Sequence, residues 1–272
     1  VVSNTDLGYS LNISPQITKT WKDGSSVMFA YNFLDAKDAA SVDAEISSDA
    51  YDRNPANVLN SNTAILQPSL YGNRHRFVGV GTKRFTYGSF ATTVTLFTEF
   101  VKGGRFSYTY AGDINNDGSP LNDLIYIPTD AEIGQMTFSG DAAAQTAQRN
   151  ALKNFIAQDD YLSDNRGQFA EKYASLSPWY NHWDLRILQD YMLPNKHVIQ
   201  LSIDFLNIGN LFNSKWGVEQ FATRTGLSQP IGVEFVSGKP VYSFATNQTS
   251  TFFNDFSLES RWKMQLGLRY SF

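Results

Sequence analysis

Asp113, Asn115 and Asp117 are followed by Gly118 and then Asp123. Oxygen ligands at alternate positions ahead of a glycine resemble the first half of a calcium loop. Hard oxygens suit a hard cation, and glycine permits the sharp turn. The second half departs from the pattern. Leu124 stands at the twelfth position, where an EF-hand places a bidentate acid, and Asp123 comes one residue early. Two readings stand side by side: a Ca2+ site with Asp113, Asn115, Asp117 and Asp123 as ligands, or an Asn/Asp/Gly turn cluster that closes on itself. Other chemistry is sparse. Cysteine is absent, and the 3 histidines (His75, His182, His197) lie far apart, so neither a thiolate nor a His-rich metal site is expected. His182 and Asp184 share a strand face, but no nucleophile accompanies them. No phosphate-binding loop or HExxH motif occurs. The expectation is a protein that is not an enzyme.

The elements that must carry these residues are strands. From Arg261 to Phe272 the chain alternates without a break. Trp262, Met264, Leu266, Leu268, Tyr270 and Phe272 fall on one face, and Lys263, Gln265, Gly267, Arg269 and Ser271 on the other. Aromatic residues at both ends of an apolar band are what two membrane interfaces favour, and a charged opposite face fits a wet lumen. An edge strand of a soluble sandwich is the competing reading. The same period recurs at Tyr9–Ile17, Val27–Phe33, Thr92–Phe100, Trp183–Ile187 and Ile199–Phe205. A further strand runs near His75–Phe85, where Gly79 and Gly81 blur the facing.

The connections alternate strictly. Three are short, at Lys22–Gly24, Thr86–Gly88 and Pro194–Lys196. Three are long, near 35–71, 103–177 and 209–259. Short turns on one side and long loops on the other are the habit of an outer-membrane barrel, periplasmic and extracellular respectively. The fold expected is therefore all-β: a transmembrane antiparallel β-barrel with about seven spanning strands in this chain. Barrels have even strand counts and open edges cannot sit in lipid, so the chain is expected to be the C-terminal part of a larger barrel, broken in an extracellular loop near Val1. The alternative is a complete barrel of about eight strands. Val233–Phe244, centred on Ser237–Pro240, reads as a hairpin above the membrane. Asp141–Asp160 is the one good helical stretch, with Asp141 as cap and Leu152, Phe155 and Ile156 as its stripe. It either covers the barrel mouth or packs down on its own loop. Tyr51, Tyr71, Trp216, Phe221, Phe252 and Phe253 place aromatics in the loops, for a ligand, a partner or loop packing.

Composition suits such a barrel and a soluble all-β protein alike, and excludes other classes. Lys+Arg 22 against Asp+Glu 26 gives a net charge of −4 in 272 residues, with none of the cationic field that nucleic acid demands. Charged residues are 18%, against roughly 25% in an ordinary soluble domain, and aromatics are 14%. Mean hydropathy is −0.31. No run of roughly 18 apolar residues forms a spanning helix, and from the polar sequence that opens at Val1 no signal peptide is expected.

Several segments resemble the C-terminal barrel of Oar-like TonB-dependent outer-membrane receptors. They are Asn154–Leu162, Asn165–Gly167, Pro178–Arg186, Gly112–Asn115 through Tyr126–Pro128, and Asp204–Asn213 with its Asn210-Leu211-Phe212-Asn213 run. The likeness is strongest over 75–272. It implies a barrel of about 22 strands around an N-terminal plug, energised by TonB through that plug. It also implies that Trp262, Leu266, Leu268, Tyr270 and Phe272 form the terminal signal read by outer-membrane assembly machinery. The chain departs from the family in carrying no plug and no TonB-contacting box. On this reading Asp184, Arg186, Gln200, Ser202, Asp204, Lys263, Gln265 and Arg269 line the lumen. The extracellular loops capture an unspecified substrate: a peptide, glycan, siderophore or secreted protein. Partners implied are the remaining barrel and plug, TonB, outer-membrane lipid and surface proteins. The rival expectation is a non-transporting barrel component of an envelope or secretion assembly.

Overall fold

A computed structural model describes residues 4–41, 44–56, 58–59 and 63–272. The expected break near Val1 and parts of the 35–71 loop lie outside the described residues. The strands of five or more residues are β1 (Gly8–Ile13), β2 (Gln16–Thr20), β3 (Ser26–Asp38), β4 (His75–Tyr87), β5 (Phe90–Lys102), β6 (Arg105–Ala111), β7 (Trp179–Met192), β8 (Val198–Leu206), β9 (Leu227–Val236), β10 (Lys239–Phe244) and β11 (Lys263–Ser271).

The main sheet is an antiparallel meander ordered β1–β3–β4–β5–β7–β8–β11, with β2 pairing the first half of β3. β1 and β2 act as one strand interrupted at Ser14–Pro15: proline has no N–H to donate, while its carbonyl accepts from Tyr31 N at 3.1 Å. The seven-strand expectation holds in this sense. Every short connection lies at one end of the sheet and every long one at the other. Among the described residues the two outer strands do not meet, so the sheet is open and no closed barrel forms.

Register follows the period-2 pattern. Val94 pairs with Ile187, Ile187 with Ile203 and Ile203 with Leu266. One residue along, Thr95 pairs with Arg186, Arg186 with Asp204 and Asp204 with Gln265. One face is thus mostly apolar and the other mostly polar. Among the described residues no second layer covers the apolar face: Ile17 is 74% exposed, Leu266 63% and Leu268 77%.

The hydrophobic core lies elsewhere. Its buried members all come from residues 106–244, in the connections at the other end of the sheet. These connections were expected to be loops with one short helix, and that expectation needs correcting. They fold together into a lobe with a four-stranded mixed sheet, in which β6 pairs in parallel with β9 and β9 pairs with β10. The described helices are α1 (Ser47–Asp52), α2 (Asp130–Gln135), α3 (Ala142–Gln158), α4 (Asp160–Asp164) and α5 (Ile208–Phe212). The 233–244 hairpin stands outside the main sheet, as expected, but it is built into this second sheet. In α3 the Asp141 carboxylate accepts from Ala144 N at 2.8 Å, and Leu152, Phe155 and Ile156 are buried in the lobe core. The helix therefore braces its own lobe.

Candidate functional site

Two features could carry function: the two-faced sheet and the lobe above it. The eight residues expected to line a lumen fall on one face by register. Asp184 lies opposite Phe97, Arg186 opposite Asp204, Asp204 opposite Gln265, Ser202 opposite Gly267, Gln200 opposite Arg269 and Leu206 opposite Lys263. They interlock with one another, and the same face carries charged residues that the sequence reading missed. Arg186 pairs with Asp204, and Arg76 with Glu99. Asp190 accepts from Arg84 at 2.9 Å and from Gln200 at 2.7 Å. Carrying the alternation of the Trp183–Ile187 strand through Leu188 to Asp190 would have found this ladder. Each pair is partly solvated, so each contributes about 0–1 kcal/mol, and their common face matters more than their strength.

The apolar face carries two aromatic rows. At the short-turn end, Phe90 stacks on Tyr191 at 4.9 Å and on Tyr87 at 6.0 Å, with Tyr270 and Phe272 beyond. At the lobe end, Tyr31 stacks on Phe77 at 4.5 Å, Trp179 lies 6.1 Å from Phe77, and Phe100 meets Trp183 edge-on at 5.7 Å. From Phe90 to Phe100 a strand rises about 33 Å, or about 25 Å in height at the tilt usual in barrels, which matches the apolar band of a membrane barrel. Two polar intruders on this face are partnered. Gln189 accepts from Thr92 at 2.6 Å, and Lys83 reaches Asp23 of the first short turn at 2.5 Å, with its ammonium 5.8 Å from the centre of the Phe85 ring. Trp262, Leu266, Leu268, Tyr270 and Phe272 are all exposed on this face.

In the lobe, segments from all three long connections are tied together. Tyr108 donates to Asp159 at 2.6 Å, and Thr251 donates to the same carboxylate oxygen at 2.7 Å. Burial, with Asp159 beside it, drives the Tyr108 hydroxyl far above its ordinary range. Lys172 is 2% exposed and donates to Ala39 O at 3.1 Å and Asn54 Oδ1 at 2.6 Å. Burial brings its ammonium down to about 8.

The Asp/Asn loop lies at this junction. Asp113 Oδ1 accepts from Asp117 N at 3.1 Å and its Oδ2 from Gly118 N at 2.8 Å. Asn115 Oδ1 also accepts from Asp117 N, at 3.0 Å, and Tyr51 donates to Asp117 Oδ2 at 2.8 Å. Gly118 has φ +94°, which closes the turn. Asp123 is fully buried, and its Oδ2 accepts from Ile114 N at 2.9 Å. Burial, opposed by that amide and reinforced by the charges of Asp117 and Asp113, pushes the Asp123 carboxyl up to about 6. The four residues expected as ligands are thus brought to one loop. As they stand, though, no three acidic or histidine side chains among the described residues converge tightly enough to hold an ion. Ile114 and Asn115 also line a cavity of about 500 Å³ with Tyr110, Tyr126 and Tyr242.

Of the loop aromatics, Phe252 packs on Phe106 at 6.0 Å and Arg224 lies 4.4 Å over Phe221, so both are used in packing. Comparison with known proteins adds nothing to this geometry: no protein-family model, curated protein or solved structure matches the chain.

Proposed function

We propose that this chain forms about a third of the wall of a TonB-dependent outer-membrane receptor, a barrel of about 22 strands around a plug, with the lobe as its extracellular capture surface. The observation that carries the reading is the sheet itself. It has one bare apolar face bounded by two aromatic rows, one ion-paired face, and all its long connections at one end. In water such a face would be far larger than the apolar patches that monomeric soluble proteins expose. In lipid it is what a barrel presents.

The two open edges fit the same reading. Unpaired N–H and C=O groups are too costly in hydrocarbon, so further strands must pair with β1/β2 and β11. The polar face, with Asp184, Arg186, Asp190, Gln200, Ser202, Asp204, Lys263, Gln265 and Arg269, then lines the lumen and holds the plug through hydrogen bonds and ion pairs. Trp262, Leu266, Leu268, Tyr270 and Phe272 present the terminal strand to assembly machinery. No covalent chemistry is involved.

The test is fractionation of the native protein from cells. The expected result is recovery in the outer membrane, with heat-modifiable mobility on gels, together with the strands and plug that close the barrel. Recovery as a water-soluble species would refute the reading. A plug-free barrel with stably bound envelope proteins would select the structural-component reading instead.

A further inference from the structure

The Asp/Asn loop carries more than a turn needs. Asp123 is fully buried, and its Oδ1 has no hydrogen-bond partner, although Oδ2 is anchored on Ile114 N at the base of the 113–118 loop. Its neighbour Asn122 is also fully buried, and its Oδ1 is likewise unpartnered. Neither Asp113 nor Asp123 has a cationic side chain as partner among the described residues. A buried carboxylate oxygen without a donor is costly unless a positive charge meets it. The same carboxyl lies against the backbone amides of Ile114 and Asn115 and within reach of the charges of Asp117 and Asp113, in a loop whose side chains offer carboxylate and amide oxygens.

We infer that Asp113, Asn115, Asp117 and Asp123 form a calcium site that fastens this loop to the 51–56 segment. In the ion-free arrangement backbone N–H groups occupy the Asp113 carboxylate, while Asp117 accepts from Ser119 N on Oδ1 and from Tyr51 and the Asn115 amide on Oδ2. On binding, Asp113 and Asp117 each turn one oxygen toward the ion while the other keeps its amide, and the Asp123 Oδ1 gains its missing partner. Calcium suits the site better than magnesium: a short flexible loop of carboxylate and amide oxygens supplies irregular coordination at 2.3–2.6 Å, whereas magnesium demands a regular octahedron and keeps its waters. The ion would act on the lobe at two points. Tyr51 reaches Asp117 at 2.8 Å, and the backbone of Ala56 bonds to both Asn122 and Leu124, at 2.8 and 3.0 Å. Ile114 and Asn115, which line the 500 Å³ cavity, belong to the same loop, so its shape depends on the ion. The inference stands on the lobe and is independent of how the sheet is used.

Tyr51 makes it testable. Terbium replaces calcium and emits when a tyrosine next to it is excited. The full-length protein, purified in detergent and stripped with chelator, is titrated with Tb3+ and then with Ca2+ or Mg2+. The expected result is emission displaced by Ca2+ with a half-point on the order of 10⁻⁴–10⁻³ M, the range of extracellular modules, and displaced far less readily by Mg2+. Tyr51→Phe should cut the emission several-fold. Asp123→Asn should raise the calcium half-point at least tenfold. Asp117→Asn, at a partly exposed position, repeats the test should the buried substitution prevent folding, with hydrogen exchange in the lobe core as the check on folding. Absence of calcium-displaceable emission, or emission unchanged in both Asn variants, overturns the inference.

Discussion

Consider an arginine placed at Ile203 or at Ser202. The two positions are adjacent on one strand and face opposite ways. Ile203 pairs with Ile187 and Leu266 on the apolar face, whereas Ser202 pairs with Leu188 and Gly267 on the polar one. Ile203 lies four residues from Ile199, which pairs with Tyr270 and Tyr191 of the aromatic row at the turn end. Four residues rise about 13 Å along the strand, or about 10 Å in height at the usual tilt, close to the middle of a band about 25 Å tall. On the proposed membrane placement Ile203→Arg should therefore cost about 2–4 kcal/mol, the penalty for a cation at the lipid midplane. At about 3 kcal/mol the folding equilibrium falls roughly two orders of magnitude. Ser202→Arg enters a face already carrying Arg186, Arg84 and Arg269, with Gly267 opposite leaving room, and should cost under about 0.5 kcal/mol. The assay is guanidinium unfolding of the full-length protein in lipid vesicles. Equal costs, or a larger cost at Ser202, would refute the assignment of the faces.

Three further outcomes concern the lobe. Phe155→Ala removes a fully buried ring that packs on Phe244 at 5.3 Å, and should cost about 3–5 kcal/mol in the lobe while hydrogen exchange in the main sheet stays unchanged. Gly112→Ala should break the parallel pairing of β6 with β9: the added Cβ would lie 2.1 Å from Val233 O at a φ of +134°. The cost should be about 2 kcal/mol or more, read as faster proteolysis of the lobe. Lys172 is held near 8 against an ordinary 10.5, so the unfolded lobe keeps this proton at pH values where the folded lobe releases it. Lobe stability should rise from about pH 8 to pH 10 on this account, and urea unfolding of Lys172→Met should lack that rise.

Strands and their faces were readable because alternation is a local signal. The sheet's register merely continues what Trp262–Phe272 and Ile199–Phe205 show residue by residue. The lobe was not readable, because its order comes from contacts distant in sequence. Phe106, Ser107, Tyr108, Thr109 and Tyr110 alternate like any strand, yet β6 is buried on both faces and pairs in parallel with residues more than a hundred positions away. Its partner β9 contains Pro230, a strand-breaking signal that proves to lie in the register shift between Ser228 and Ile231. One helix could have been found: Thr129 and Glu132 form a reciprocal capping box at the start of α2. The short α1 has no capping side chain and is held by its surroundings. In the Asp/Asn loop the spacing of Asp113, Asn115 and Asp117 was visible. The burial of Asp123 and its unpartnered oxygen were not, because they depend on the lobe closing over it.

The central claim, a wall with lipid on one face and water on the other, is tested most directly by a cysteine scan. The chain has no native cysteine, so single substitutions from Ile199 to Phe205 and from Met264 to Tyr270 can each carry a spin label in the full-length protein reconstituted in vesicles. The account predicts strict alternation: labels at 199, 201, 203, 205, 264, 266, 268 and 270 relaxed by oxygen dissolved in lipid, and those between them by a water-soluble nickel complex. Labels on both faces relaxed equally by the aqueous reagent would contradict it.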